Sequence, residues 1–192
     1  DEAHDLFKLP EFISKMMENK WLGSKSGQGK KKKEGKEILT LDLDTLEYRS
    51  AKKASFATLE LTKTIDKPIN RFKVLITGKD KAGEFYRKDF GGMFAYVANR
   101  IPEISDDVYK IDDAMKAGFG WENGPFEIWD AVGVEKGIEL IKALGQEPAP
   151  WVNEMLASGN KSFYSVKEGA TYYYDIASKS QKKIPGQDAF II

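Results

Sequence analysis

The chain has 192 residues, 41% of them apolar and 12% aromatic, enough for a packed core in one domain or one domain plus part of another. Its 30 basic and 30 acidic residues cancel, so nothing global draws it to nucleic acid or an anionic membrane. The lack of cysteine excludes disulfides and thiol catalysis; it is compatible with a reducing compartment, and a cytoplasmic location is expected. No apolar run approaches the roughly 20 residues of a membrane span, and no signal peptide is recognisable. The chain begins at Asp1 rather than Met, which suggests a piece of something longer.

Phe12, Ile13, Met16 and Met17 predict an amphipathic helix from about Pro10 to Lys20. A glycine-rich loop, Gly23 to Gly29, leads into Lys30 to Lys33, which read as a solvated loop with an anion-binding patch as the alternative. Leu39, Leu41 and Leu43 alternate with polar residues, the pattern of a half-buried strand. Leu46 to Ser55 lacks periodicity and reads as a linker. Ser55 is a candidate cap for a helix carrying Phe56, Leu59 and Ile65, and Pro68 interrupts that helix before another reaches about Thr77.

The longest helix is expected from about Asp80 to Ile104, with Tyr86, Phe90, Met93, Val97, Ile101 and Ile104 on one stripe. Gly91-Gly92 would permit close helix approach, and Pro102 should kink or end the helix. Gly118 is read as the left-handed stop of the next helix, and Pro125 as the opening of one whose stripe is Phe126, Trp129 and Val132. Trp121, Phe126 and Trp129 are expected to be buried against the long helix. Val134 to Leu144 and Pro150 to Leu156 give two more helices. Phe163 to Val166 and Thr171 to Tyr174 predict a hairpin with a four-residue connection, and Phe190-Ile191-Ile192 leaves apolar side chains with nothing to cover them. The spacing of Gly118, Gly120 and Gly124 is not that of a dinucleotide fingerprint, and it follows a helix instead of a strand, so the chain is not expected to bind NAD by itself.

The run Ile-Asp-x-Ala-Met-x-x-Gly-x-Gly-x-x-x-Gly-Pro-Phe-Glu-x-x-Asp-x-x-Gly, residues 111–133, resembles the C-terminal helical domain of NAD-dependent 3-hydroxyacyl-CoA dehydrogenases. The resemblance implies an all-α, mainly helical fold with short β-hairpins, similar to the C-terminal domain of 6-phosphogluconate dehydrogenase. The two ends of the chain also resemble each other, Ile13 to Met17 with Val152 to Leu156, Lys33 to Lys36 with Lys167 to Ala170, and Leu39 to Asp42 with Tyr172 to Asp175. Residues 1–48 therefore read as the tail of a first helical repeat and 49–192 as a complete second one, an arrangement similar to that of multifunctional fatty-acid β-oxidation proteins. That likeness implies, elsewhere in the parent chain, a nucleotide-binding domain that holds NAD, the rest of the first repeat and an enoyl-CoA hydratase domain.

In this family a histidine–glutamate pair of the nucleotide-binding domain takes the hydroxyl proton of a 3-hydroxyacyl-CoA. The single histidine, His4, has no motif around it. Asn99-Arg100 is similar to the family's catalytic asparagine motif, but a direct role for Asn99 is disfavoured because it falls in the second repeat and Pro102 lies close by. Asn99, Arg100, Phe119, Trp121 and Phe126 are candidates for the substrate wall or a domain interface. Asp106-Asp107 and Asp112-Asp113 read as helix caps and solvated faces, not a metal site. The competing reading is a stand-alone helical interaction module. Where the family has Phe-Tyr after its glycine loop this chain has lysines, which suggests that a few residues are absent from the sequence between Gly29 and about Lys33.

Overall fold

The computed structural model describes residues 4–187; the terminal Phe190-Ile191-Ile192 lies outside the described residues. The chain forms two compact units, residues 1–54 and 55–192, so the division falls a few residues beyond the boundary read at 48. The first contains α1 (Glu11–Glu18) and an antiparallel sheet of β1 (Lys31–Glu34), β2 (Glu37–Leu41) and β3 (Tyr48–Ser50), in that order. Met16 and Leu41 are buried, whereas Phe7, Leu9, Met17, Leu22, Ile38 and Leu43 are exposed.

The lysine run is a strand, not a solvated loop. Lys31 to Glu34 pair without interruption with Thr40 to Glu37, and the Gly29 N–H donates to the Lys31 carbonyl, so the run needs no further residues to close its hairpin. Lysine stems cover apolar rings while their ammonium groups stay wet. Lys30 Nζ lies 5.8 Å from the Phe12 ring centroid and Lys32 Nζ 5.6 Å from that of Tyr48. The apolar cross-strand partner that the lysines cannot offer comes from β3, inside the stretch read as linker, where Tyr48 stands opposite Leu41.

The second unit is helical, from α2 (Ala57–Thr62), α3 (Pro68–Thr77), α4 (Lys81–Asn99) and α5 (Val108–Phe119) to α6 (Pro125–Val132), α7 (Val134–Ala143) and α8 (Pro150–Ala157). It closes with a second antiparallel sheet, β4 (Tyr164–Lys167), β5 (Ala170–Asp175) and β6 (Ser180–Lys183). The hairpin connection is two residues, not four, because Lys167 and Ala170 pair. Glu168 at φ +49° and Gly169 at φ +79° form its turn, as a primed turn requires.

Helix α4 stops at Asn99, five residues short of the expected end, because a residue before proline is pushed out of the helical region and Ile101 precedes Pro102. Ile104 is therefore exposed, and the deepest residues of α4 are Phe94 and Ala98, one position on from the expected stripe. Its N-cap, Asp80, accepts from the Gly83 N–H at 3.0 Å and also from the Thr58 N–H at 2.9 Å and hydroxyl at 2.7 Å. Asp80 thus does for α2 what Ser55 was expected to do, and the two N–H bonds with the Thr58 hydroxyl hold its carboxyl well below the usual range, at about 2.

The core centres on stacked rings. Phe94 lies against Trp129 with centroids 4.7 Å apart and planes 8° from parallel, and Phe126 and Phe163 complete the cluster. Two glycines let α4, α7 and this cluster close up. A Cβ on Gly91 would stand 2.9 Å from the Leu140 carbonyl oxygen, and one on Gly137 only 1.9 Å from Trp129 Nε1. Gly92, by contrast, faces open space.

The two sheets match in detail. Lys31 opposite Thr40 and Leu41 opposite Tyr48 have their counterparts in Tyr164 opposite Tyr173 and Tyr174 opposite Gln181. Asp42 accepts from the Thr45 N–H and pairs with Arg49; Asp175 accepts from the Ser178 N–H and pairs with Lys182. Leu46 and Lys179 both take positive φ in the loop between. The helices before the sheets end alike, with Trp21 N–H on the Met16 carbonyl and Asn160 N–H on that of Met155.

The glycine contacts predict opposite effects for two similar changes. Gly137→Ala should cost about 1–3 kcal/mol by forcing Trp129 to move. Gly92→Ala should gain about 0.5–1 kcal/mol, since a helix-interior glycine is replaced without contact. Urea denaturation of both variants measures the pair, and equal midpoints would contradict the packing described.

Candidate functional site

The motif at residues 111–133 folds into a junction of α5, α6 and β4 held together by carboxylates. Helix α5 ends at Gly120, φ +67°, while Gly118 is still helical, so the left-handed stop lies two residues beyond the position expected. After the turn, Gly124 and Pro125 open α6. Asp112, fully buried on α5, accepts from the Phe126 N–H at 2.8 Å and the Glu127 N–H at 3.0 Å, so it caps a helix fourteen residues away. Gly124 is the residue that makes room: a Cβ there would lie 2.3 Å from that of Asp112. Glu127 accepts from the Gly124 N–H at 2.8 Å and from Lys116 at 2.9 Å.

From α6, Asp130 accepts from the Phe163 and Tyr164 N–H groups, both at 2.8 Å, and fixes the start of β4. The Tyr164 hydroxyl returns to Asp112 at 2.9 Å, closing a circuit through all three elements. Burial pushes the Asp112 carboxyl up to about 7 against the hydrogen bonds it receives. Burial, with the neighbouring charges of Asp112 and Glu127, also raises Asp130 to about 7, and burial raises the Tyr164 hydroxyl as well.

A cavity of about 610 Å³ opens over this junction, lined among others by Tyr109, Lys116, Asn123, Glu127, Asp130 and Tyr164. A second, of about 360 Å³, is more apolar and lies between α3, α4 and the α5–α6 turn, with Phe72, Phe90, Met93 and Trp121 in its walls. Asn123 borders both cavities, its Oδ1 buried and without a hydrogen-bond partner among the described residues.

The five sequence candidates do not converge. Asn99 ends α4 and donates to the Ala95 carbonyl at 2.9 Å. Arg100 is buried, paired with Glu103 and stacked over Tyr96. Phe126 belongs to the core, whereas Phe119 is 75% exposed. Trp121, expected to be buried, is 38% exposed because it sits on the turn after Gly120, off the stripe of α6. His4 is exposed in a short 3₁₀ turn, and no metal-binding cluster occurs among the described residues. Asp112, expected as a helix cap or on a solvated face, is fully buried and caps a helix other than its own. Asp130, a fixed position of the motif, was assigned no role, and Tyr164 entered only as a residue of the hairpin strand.

A mainly helical domain whose GPFE helix is capped by a distant aspartate is thus the class of protein defined here. Residues 90–173 match the family model described as 3-hydroxyacyl-CoA dehydrogenase, C-terminal domain. The chain contains a domain of that family. It is 42% identical over 174 residues to a protein of Bacillus subtilis (strain 168) named "Probable 3-hydroxyacyl-CoA dehydrogenase", covering 91% of this chain and 22% of the relative. It is 25% identical over 202 residues to the "Putative fatty acid oxidation complex trifunctional enzyme" of Rickettsia felis, covering all of this chain and 25% of the relative. A protein of the same name in Rickettsia prowazekii is 25% identical over 150 residues, 73% of this chain and 18% of the relative. The chain therefore spans a quarter or less of the length of these relatives. No solved structure gives a significant match.

The junction predicts a pH-dependent cost for Tyr164→Phe. Both aspartates titrate near 7 in the fold against an ordinary value of 3.8, so the stability they contribute is complete below that value and falls as pH rises to about 7. The Tyr164 hydroxyl favours ionised Asp112. Its loss should cost about 1.5–3 kcal/mol at pH 8, where Asp112 is charged, and about 0.5–1.5 kcal/mol at pH 5. Denaturation midpoints at the two pH values check this; a cost independent of pH would contradict the hydrogen bond.

Proposed function

We propose that the chain is the helical C-terminal portion of an NAD-dependent 3-hydroxyacyl-CoA dehydrogenase of fatty-acid oxidation. In this reading it forms one wall of the acyl-CoA site, packs against the other domains of the parent and is not catalytic alone. The observation that carries it is the Asp112–Gly124–Glu127–Asp130 junction, which gives a physical role to the motif residues shared with the family. The names borne by the relatives support the activity, and the word trifunctional in two of them supports further functions in the same parent chain.

The residues here do not suit a dinucleotide phosphate. An anion would be drawn to a helix N-terminus after a glycine turn, but the N–H groups of α6 already bind Asp112 and Glu127. Both sheets are antiparallel, so neither offers the βαβ unit that cradles NAD. The hydride acceptor and its proton-accepting pair belong, in this reading, to a nucleotide-binding domain elsewhere. The matched sheets and helix ends support a tandem arrangement, with residues 1–48 the tail of one repeat and 49–192 a second. Within it Asn99, Arg100, Phe119 and Trp121 are wall or interface residues.

The test is calorimetry and an NADH absorbance assay on the chain and on its longer natural parent. The chain alone should neither bind NAD at micromolar concentration nor oxidise a 3-hydroxyacyl-CoA, and the parent should do both. Micromolar NAD binding by the chain, or an inactive parent, would overturn the reading; the latter would favour a stand-alone interaction module.

A further inference from the structure

The two sheets match in register but differ in what their first strand presents. Phe163 and Tyr164, at the start of the second sheet, have Lys30 and Lys31 as their counterparts in the first. The Tyr174 N–H donates to the Phe163 carbonyl, and the Leu41 N–H to that of Lys30. This makes Tyr164–Tyr173 and Lys31–Thr40 non-hydrogen-bonded pairs, so the N–H groups of Tyr164 and Lys31 both turn away from the neighbouring strand. In the second unit the Tyr164 N–H, together with the Phe163 N–H just before it, is taken by Asp130. In the first, Lys30 and Lys31 are exposed, and their N–H groups have no partner among the described residues.

The side chains point to the same chemistry. In the second unit Phe163 packs against Trp151, at 5.8 Å; in the first the equivalent pair is Lys30 over Phe12, also at 5.8 Å. An aromatic contact has become a cationic one, with Lys31 and Lys33 beside it, both exposed. Two free N–H groups and three ammonium groups on one short stretch are complementary to a carboxylate. A lysine in place of Phe163 is poorly suited to the apolar pocket that Phe126 and Trp129 make in the second unit.

We propose that the start of β1 is a docking edge for a helix-borne carboxylate, an aspartate or glutamate of a partner domain that takes the Lys30 and Lys31 N–H groups as Asp130 takes those of Phe163 and Tyr164. The partner surface is acidic there, unlike the aromatic face of α6. Resting on the tandem reading above, the proposal assigns that partner to the helical layer of the first repeat in the parent.

Hydrogen exchange at single amides tests it, with Tyr164 as internal control. In the chain alone Lys30 and Lys31 should exchange at least tenfold faster than Tyr164, and in the longer parent they should slow at least tenfold while Tyr164 is unchanged. The double variant Lys30→Glu, Lys31→Glu should lose that slowing in the parent while keeping Tyr164 protected, which shows that the fold persists. A parent that oxidises 3-hydroxyacyl-CoA but leaves Lys30 and Lys31 in fast exchange would overturn the docking edge and leave the functional reading standing. Equal protection in the chain alone on adding millimolar inorganic phosphate would also overturn it, since a free anion would then suffice.

Discussion

Asp112 is an ionisable side chain placed where water cannot reach it, and three elements are arranged to make that tolerable. An isolated carboxylate in such a place would be strongly destabilising. It persists because two N–H groups at the start of α6 and the Tyr164 hydroxyl converge on it. Each needs the carboxyl group in turn: the α6 N–H groups are orphans of their own helix, and the half-buried Tyr164 needs an acceptor. The demand spreads outward. Gly124 is required because Asp112 occupies its Cβ space, and Asp130 is required because the same helix must also fix β4. One buried carboxyl group thus accounts for the spacing of most of the motif.

The same device appears at Asp80, which joins α2 to α4 through Thr58. Its setting is more open, and its carboxyl is depressed instead of raised. The contrast follows from competition between two effects, hydrogen bonds favouring the ionised form and burial opposing it. At Asp80 the hydrogen bonds win; at Asp112 and Asp130 burial does.

Much of this was legible in the sequence, and the parts that were not share a cause. Helices α3 to α8 announce themselves by periodicity and by Pro68, Pro125, Pro150 and Gly145, all of which act locally. Phe126, Trp129 and Val132 are buried as their spacing suggests. A cap could be expected at Asp112, but not of which helix, because a cap is sought beside its own helix and this one reaches α6 from fourteen residues upstream. Ser55 misled for the same reason, Asp80 being the true partner of Thr58. Strands β3 and β6 are short and polar, Tyr-Arg-Ser and Ser-Gln-Lys-Lys, and exist because a longer neighbour pairs with them. The lysine run likewise becomes a strand through its partner rather than its propensity. Of the candidate site, the motif was visible as a pattern, while its role lay in contacts between elements.

An outer strand of a sheet invites another chain to pair with it, the first step of uncontrolled association. β1 and β4 occupy the same place in their sheets and are protected in different ways. On β4 the exposed N–H groups at its start are consumed by Asp130, so the template is removed. On β1 the Gly29 N–H covers the Lys31 carbonyl and Gln28 bridges Lys32, so among the described residues only the N–H groups of Lys30 and Lys31 are left available. A second copy laid alongside would set lysine against lysine, where the charge repels it. The lysine-bearing edge can therefore stay open to one partner of opposite charge while remaining closed to its own kind.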